Sequence, residues 1–162
     1  MRVCLIADTH GIYDKLSLKL KELDLDLILH AGDYAKDAEE ISLISGVKAL
    51  AVRGNNDPLN PNYNDEEIIN LNGYETLLVH GHLNRVHRGT SDLRARAIKL
   101  GAKIIIFGHT HKFLLERDEN LLVINPGSPS FTRSFDRINT FVVLEIKDDG
   151  EIFIEKMEID PF

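Results

Sequence analysis

The chain has 162 residues, 43% of them hydrophobic and 28% charged, with a formal net charge of −7 at pH 7. This length suits one domain over residues 1–162 with its own hydrophobic core, and the acidic balance argues against binding to extended nucleic acid. No apolar run reaches the roughly 18 residues of a membrane span, and the N-terminus lacks the apolar segment of a signal peptide, so we expect no membrane partner and a cytoplasmic location.

Three apolar runs alternate with helical patterns in the first half of the chain. The runs cover residues 3–7, 25–29 and 47–52. The first helix is predicted between the first two runs, where apolar residues recur on one helix face at Tyr13, Leu16, Leu20 and Leu23. A second helix is predicted after Asp37. The alternation of strands and helices is typical of a parallel sheet.

The second half combines one more helix with several hairpin patterns. The spacing predicts a helix over 92–100 that ends at Gly101, followed by a buried strand over 103–107. Three antiparallel hairpins are predicted from apolar runs that flank a turn: 68–71 with 75–79, 114–117 with 121–124, and 140–146 with 152–157. We therefore expect an α/β protein with two sheets in the core, helices outside, and a surface loop over 56–65 beside the functional site.

Five of the apolar runs lead directly into side chains that can bind metal ions. A single Asp-x-His or His-x-His pair is weak evidence, because histidines without a ligand role are commoner. The carboxyl ends of parallel strands, however, gather along one edge of a sheet, so residues far apart in sequence converge there. Two four-ligand sites that share one carboxylate need seven protein ligands, and the strand ends supply Asp8, His10, Asp33, Asn55, His80, His109 and His111.

The ligand types restrict which metals can bind. Cys4 is the only cysteine, so a metal would have nitrogen and oxygen ligands, which suit Mn, Fe, Co, Ni or Zn. We expect the imidazole ligands, His10 and His109 among them, to donate their second ring N–H to a carbonyl or carboxylate. Glycines at positions 32, 54 and 108 would let the chain turn sharply and approach a ligand closely.

These motifs are similar to those of a known family. The order Asp-x-His, Gly-Asp, Gly-Asn-x-Asp, His and Gly-His-x-His resembles the calcineurin-like metallophosphoesterases over nearly the whole chain. The short length and the stretch Asn125-Pro126-Gly127-Ser128 resemble the small bacterial and archaeal phosphodiesterases of that superfamily. The resemblance implies a four-layered α/β/β/α sandwich with two mixed β-sheets. It also implies that Asp33 bridges two metals, one on Asp8, His10 and His111 and the other on Asn55, His80 and His109.

One position departs from the family pattern. Many relatives carry His at the third place of the Gly-Asn-x-Asp motif, where it is thought to protonate the leaving group, but this chain has Asn56. Because Asn donates no acidic proton, His82 or water must serve, or the leaving group departs unaided. Asp57, which pairs with that His in some relatives, loses this partner. Arg133 is a further candidate for substrate contact, whereas His87 and Arg88 are predicted to be solvated.

The resulting hypothesis is a phosphodiesterase with two divalent transition-metal ions, manganese first, with Ni, Fe, Co or Zn as alternatives. Two such ions activate a bridging water as hydroxide and clamp the phosphoryl oxygens. The predicted partner is a small phosphate ester, and the resemblance leaves a homodimer or higher homo-oligomer open. The alternatives are a phosphomonoesterase, including a phosphoprotein phosphatase, and a non-catalytic scaffold subunit of the same fold.

Overall fold

The computed structural model describes residues 1–57 and 61–160, so part of the predicted surface loop 56–65 lies outside it. Two short 3₁₀ turns, His82–Asn84 and Val86–Arg88, precede the third helix. The elements in chain order are β1 (Arg2–Ile6), α1 (Asp14–Lys21), β2 (Leu27–His30), α2 (Asp37–Ser45), β3 (Ala49–Ala51), β4 (Glu66–Leu71), β5 (Tyr74–Val79), α3 (Ser91–Leu100), β6 (Ile104–Ile106), β7 (Phe113–Arg117), β8 (Leu122–Pro126), β9 (Asn139–Ile146) and β10 (Ile152–Ile159).

These strands form two mixed sheets of five strands each. The first has the order β10-β9-β1-β2-β3. In it β1, β2 and β3 are parallel to one another, and β9 is antiparallel to both of its neighbours, β1 and β10. The second has the order β4-β5-β6-β8-β7. The three predicted hairpins are confirmed, but β5, β6 and β8 also pair in parallel. The hairpin signals could not show this pairing, because α3 carries the chain from β5 to β6 as a crossover.

The core lies in three apolar layers that define the four-layered sandwich. Between the sheets, Leu5 and Leu29 of the first sheet pack with Ile106 and Ile124 of the second. Helices α1 and α2 cover the outer face of the first sheet, and α3 covers the outer face of the second. As predicted, α3 ends at Gly101, which has a left-handed backbone with φ 73°. The predicted α/β/β/α architecture is therefore confirmed.

This topology places several strand ends together. Strands β1, β2 and β3 run in the same direction, as do β5 and β6, so the segments that follow them leave the sheets at common edges. Backbone hydrogen bonds tie these segments to one another, from Asp8 N–H to the Gly32 carbonyl (2.9 Å) and from Gly108 N–H to the His80 carbonyl (3.1 Å). Among the described residues, no helix has the length and apolarity needed to cross a bilayer.

Candidate metal centre

Four of the predicted ligands form one compact cluster. Asp8 and His10 follow β1, Asp33 follows β2 and His111 follows β6, and one ligand atom from each lies within 4.8 Å of the others. His111 Nε2 lies 3.4 Å from Asp8 Oδ1 and 3.3 Å from His10 Nε2. These four side chains could therefore hold a metal ion.

The other three predicted ligands lie on the opposite side of Asp33. His80 Nε2 is 3.3 Å from Asp33 Oδ1 and 3.2 Å from the side-chain oxygen of Asn55. The rings of His80 and His109 have centroids 5.1 Å apart. Asp33 turns its second oxygen, Oδ2, toward His10, at 3.8 Å from Nε2. The structure thus brings all seven predicted residues together, with Asp33 between the two groups.

Two of the histidines have their tautomer set by the backbone. His80 donates its Nδ1–H to the Ala31 carbonyl at 2.7 Å, and His111 donates its Nδ1–H to the Phe131 carbonyl at 2.6 Å. In each neutral ring, Nε2 is therefore left with a free lone pair that faces the carboxylates. The predicted orientation of the second ring nitrogen is found for these two ligands.

His10 and His109 are held differently. Within residues 1–57 and 61–160, neither ring donates to a carbonyl or carboxylate, so the predicted hydrogen bonds to these two imidazoles are not found there. The His10 ring instead packs against Tyr34 and Phe131, with centroids 5.2 and 5.6 Å away. Ring contacts, rather than a hydrogen bond to a carbonyl or carboxylate, therefore orient His10.

Burial makes this cluster electrostatically suited to a divalent cation. Burial and repulsion from Asp33 raise the pKa of Asp8 well above its usual range. Burial opposes ionisation of Asp33 as well, but His80 and two hydrogen bonds from Asn56 outweigh it and lower the pKa of that carboxyl. Burial also lowers the pKa of His80 and of His111 to about 4. Neutral imidazoles beside crowded carboxylates form a donor set that a cation would stabilise, so these residues fit a metal ion.

The backbone is unusual at the ligand positions. Five of the seven predicted ligands have positive φ angles in the left-handed region: Asp8 (57°), His10 (50°), Asp33 (60°), His109 (68°) and His111 (58°). Such angles are uncommon outside glycine and cost roughly 1–3 kcal/mol each when the surroundings enforce them. Their concentration at one site is typical of a functional centre, where the chain must leave a strand and turn its side chain inward.

Two of the predicted glycines are required by close packing around these turns. A Cβ at Gly108 would lie 2.7 Å from the Cβ of Ala7 and 3.0 Å from Asp8 Oδ2. A Cβ at Gly54 would overlap both the backbone and the carboxylate of Asp33. A side chain at either position would therefore displace a candidate ligand residue.

Comparison with known proteins agrees with this geometry. The sequence model of the calcineurin-like phosphoesterase superfamily domain matches residues 1–149. The chain belongs to this superfamily. A probable metallophosphoesterase of Bacillus subtilis is 31% identical over 152 residues, which cover 93% of this chain and 87% of the relative. A phosphodiesterase of Methanocaldococcus jannaschii is 26% identical over 149 residues, covering 78% of this chain and 83% of the relative.

Solved structures share the fold. Vps29 of Entamoeba histolytica, in a crystal structure with zinc, superposes with a TM-score of 0.79 at 23% identity, covering 98% of this chain and 99% of that one. At this level of identity the likeness concerns the fold. The two chains share the two-sheet sandwich.

The departure at Asn56 has a clear structural role. Asn56 donates its backbone N–H to Asp33 Oδ1 at 2.9 Å and its side-chain N–H to Asp33 Oδ2 at 2.6 Å. Asp57 accepts hydrogen bonds from the backbone N–H groups of Ala35 (2.8 Å) and Gly54 (2.7 Å). In this superfamily member, Asn56 therefore fixes the central carboxylate, and Asp57 has two backbone partners in place of the missing His.

A buried chain of side chains behind the cluster was missed by the sequence reasoning. His30 Nδ1 accepts the backbone N–H of Gly32 (3.1 Å), so its Nε2 carries the proton and donates to Thr9 Oγ1 (3.0 Å). Thr9 in turn donates to Asp37 Oδ2 (2.6 Å), which also accepts the N–H of Gly11 (2.8 Å). This chain links the turns after β1 and β2. No sequence pattern distinguishes His30 from an ordinary strand residue.

The stretch Asn125–Ser128 also supports the ligand segments. The buried Ser128 hydroxyl donates to the carbonyl of Asp8 at 2.8 Å and accepts the N–H of Phe131 at 2.7 Å. The side chain of Asn125 donates to the carbonyl of Gly108 at 2.8 Å. The motif therefore acts on the backbone of two ligand turns.

Two further histidines lie beside His109. The His82 ring is 5.3 Å from His80 and 6.2 Å from His109, and its buried Nδ1 has no hydrogen-bond partner among the described residues. His87 is exposed, as predicted, but its ring centroid also lies 4.5 Å from that of His109. His82 and His87 thus form one rim of the metal centre.

Proposed function

We propose that this chain is a metal-dependent phosphodiesterase that holds two divalent ions on seven side chains. The observation that carries the proposal is the convergence of seven nitrogen and oxygen donors around Asp33, whose two oxygens face His10 on one side and His80 on the other. Membership of the phosphoesterase superfamily supports ester hydrolysis. The relative named a phosphodiesterase, at 26% identity, supports diesters as the substrate class.

When bound, two such ions would supply a hydroxide nucleophile near neutral pH and neutralise the phosphoryl oxygens. The residues provide the rest. Asp8 and Asp33 contribute two negative charges against the four positive charges of two divalent ions, so the centre would attract a phosphate anion although the protein is acidic. Asn55, whose side-chain oxygen lies 3.2 Å from His80 Nε2, would contact a phosphoryl oxygen through its amide N–H, and Asn56 would keep both oxygens of Asp33 in position.

Departure of the leaving group is the step with the least support from the side chains. Asn56 supplies no acidic proton. His82, whose ring lies 5.3 Å from that of His80, has a buried Nδ1 with no hydrogen-bond partner in the described part of the chain. We therefore expect a strong preference for esters with acidic leaving groups, such as 4-nitrophenol, over alkyl esters. Loss of this preference would show that an efficient proton donor is present.

The test compares a diester with a monoester that shares its leaving group. Purified protein with Mn²⁺, and in parallel with Zn²⁺ or Ni²⁺, is assayed on bis(4-nitrophenyl) phosphate and on 4-nitrophenyl phosphate. We expect hydrolysis of the diester at the higher kcat/KM, and loss of turnover in His109→Ala but not in the surface control Lys99→Ala. A higher rate on the monoester would favour a phosphomonoesterase, and no turnover with any metal would contradict the proposal.

The non-catalytic scaffold is the alternative from another class. It is distinguished by metal content as well as by activity, because a scaffold has no need to retain seven ligands. Less than one bound ion per chain after reconstitution would favour the scaffold. Stable binding together with turnover would exclude it.

A further inference from the structure

A cavity of about 470 Å³ opens directly beside the metal centre. His87 lines it, and its ring centroid is 4.5 Å from that of the ligand His109. Thr110, which lies between His109 and His111 in the chain, forms part of the same wall. Arg133 closes another side and donates its backbone N–H to the carbonyl of His111 at 3.0 Å. A molecule bound at the metal centre could therefore extend into this cavity.

The cavity has an apolar part formed by the side chains of Val86, Phe107, Phe113 and Leu114. Its volume is within the range of roughly 300–1,000 Å³ that is usual for small-molecule sites. A methyl group would leave most of this space empty, whereas an aromatic ring would fill it and bury apolar surface. The shape and walls therefore favour an aromatic or similarly flat apolar group.

The charges at the cavity are predominantly positive. Glu116 is its one lining acid within the described residues, and it accepts hydrogen bonds from Arg94 (2.8 Å) and Thr90 (3.0 Å), so its charge is already compensated. Lys112 and Arg133 also line the cavity, and neither side chain forms an ion pair or hydrogen bond within residues 1–57 and 61–160. Two cationic groups are thus available to a ligand.

We propose that this cavity binds the non-leaving arm of the phosphodiester substrate, and that this arm is an aromatic group carrying a negative charge. This inference rests on the proposed function, which places the phosphoryl group at the metal centre. The ring would pack against the apolar walls of the cavity, and Arg133 and Lys112 would bind its anionic substituent. A phosphomonoester has no such arm and would leave the cavity empty.

Three diesters that share 4-nitrophenolate as leaving group test the arm separately from the chemistry. Their second arms are methyl, phenyl and 4-carboxyphenyl. With Mn²⁺-loaded protein we expect kcat/KM to rise about tenfold from methyl to phenyl, because the ring buries apolar surface. A further rise of about fivefold to tenfold is expected for 4-carboxyphenyl from its interaction with exposed cationic groups.

The variant Arg133→Met keeps an apolar stem but removes the charge. It should abolish most of the preference for 4-carboxyphenyl over phenyl, and Arg133→Lys should retain part of it. Arg117→Met, an exposed arginine outside this cavity, is the matched control and should leave the preference unchanged. Equal losses on all three diesters in Arg133→Met would place Arg133 at the phosphoryl group and overturn its assignment to the arm.

Binding provides a readout that does not depend on turnover. Benzylphosphonate and 4-carboxybenzylphosphonate, which have no ester bond to cleave, are titrated into the Mn²⁺-loaded protein. Tighter binding of the carboxylated compound, lost in Arg133→Met, supports the assignment of the cavity. This support holds even if no diester is hydrolysed, because absence of hydrolysis would refute only the proposed function. Hydrolysis of all three diesters at equal kcat/KM would instead refute the cavity and leave the phosphodiesterase intact.

Discussion

Replacing Asn56 with alanine removes one of two hydrogen bonds that fix the carboxylate between the two ligand groups. The amide Nδ2 lies 2.6 Å from Asp33 Oδ2, while the backbone N–H of residue 56, 2.9 Å from Oδ1, is kept in the variant. A hydrogen bond to a charged group contributes about 1.5–3 kcal/mol, and the exposure of Asn56 favours the lower end. Since about 1.4 kcal/mol is tenfold in affinity, metal binding should weaken about tenfold.

This effect is measured by competition of the purified variant with a fluorescent chelator for Mn²⁺. The variant should have an unchanged circular dichroism spectrum, because the lost hydrogen bond lies outside the apolar core. Asn64→Ala is the control, since the Asn64 amide also donates to a carboxylate, that of Glu67 at 2.6 Å, but on the exposed surface. Wild-type Mn²⁺ affinity in Asn56→Ala would refute the assignment of Asn56 as the residue that positions Asp33.

Three further predictions concern residues behind the site. Ser128→Ala leaves the Phe131 N–H unpaired and the Asp8 carbonyl with only a long hydrogen bond (3.4 Å) from the Ser130 hydroxyl, so urea denaturation should show about 1–3 kcal/mol less stability. A loss below about 0.5 kcal/mol, as expected for a surface substitution, would contradict this. Burial lowers the pKa of His30 to about 3, so below pH 6.5 the unfolded chain binds a proton that the folded chain does not. Between pH 7.5 and 5, the free energy of unfolding of the metal-free wild-type protein should therefore fall by about 2 kcal/mol more than that of His30→Gln. Identical pH profiles of stability for the two proteins would refute this prediction. Gly108→Ala would force a Cβ to 2.9 Å from the Ala31 carbonyl oxygen, and we expect a clearly lower Tm and weaker Mn²⁺ binding, whereas an unchanged Tm would show that the turn can yield.

The convergence of the seven candidate side chains could be predicted from sequence because it depends on two local signals that reinforce each other. Each candidate is a side chain of ligand type, and each directly follows an apolar run. Parallel pairing of β1 with β2 and of β2 with β3 then brings Asp8, Asp33 and Asn55 to one edge, as the helix-separated runs predicted. The resemblance to the superfamily added the division into two groups around Asp33.

Other features depend on contacts that no local pattern encodes. The parallel pairing of β6 with β8 brings together strands that the sequence associated with separate elements. The role of Asn56 follows from its proximity to Asp33, 23 residues earlier in the chain. His30 and Asp37 belong to a hydrogen-bond chain that exists only once the turns after β1 and β2 meet. The left-handed backbone at the candidate ligands is likewise imposed by the folded surroundings, since Asp and His adopt it more often than most residues but still only in a minority of cases.

The cavity beside His109 shows the same limit. Its walls come from the 3₁₀ turn at Val86–Arg88 and the two residues after it, from the segment between β6 and β7, from β7 itself, and from Arg133. In the sequence, His87 was predicted to be solvated, and nothing placed it near Arg133. The two side chains meet at one cavity only because both surround the turn that carries His109 and His111.

The claim that these seven residues form a centre for two metals is tested most directly by metal content. The purified protein is stripped with a chelator, dialysed against Mn²⁺ and then against metal-free buffer, and analysed by elemental mass spectrometry. The proposal predicts two manganese ions per wild-type chain and one in His80→Ala, where the group around His10 and His111 stays complete. One ion per wild-type chain, with no further loss in His80→Ala, would contradict it.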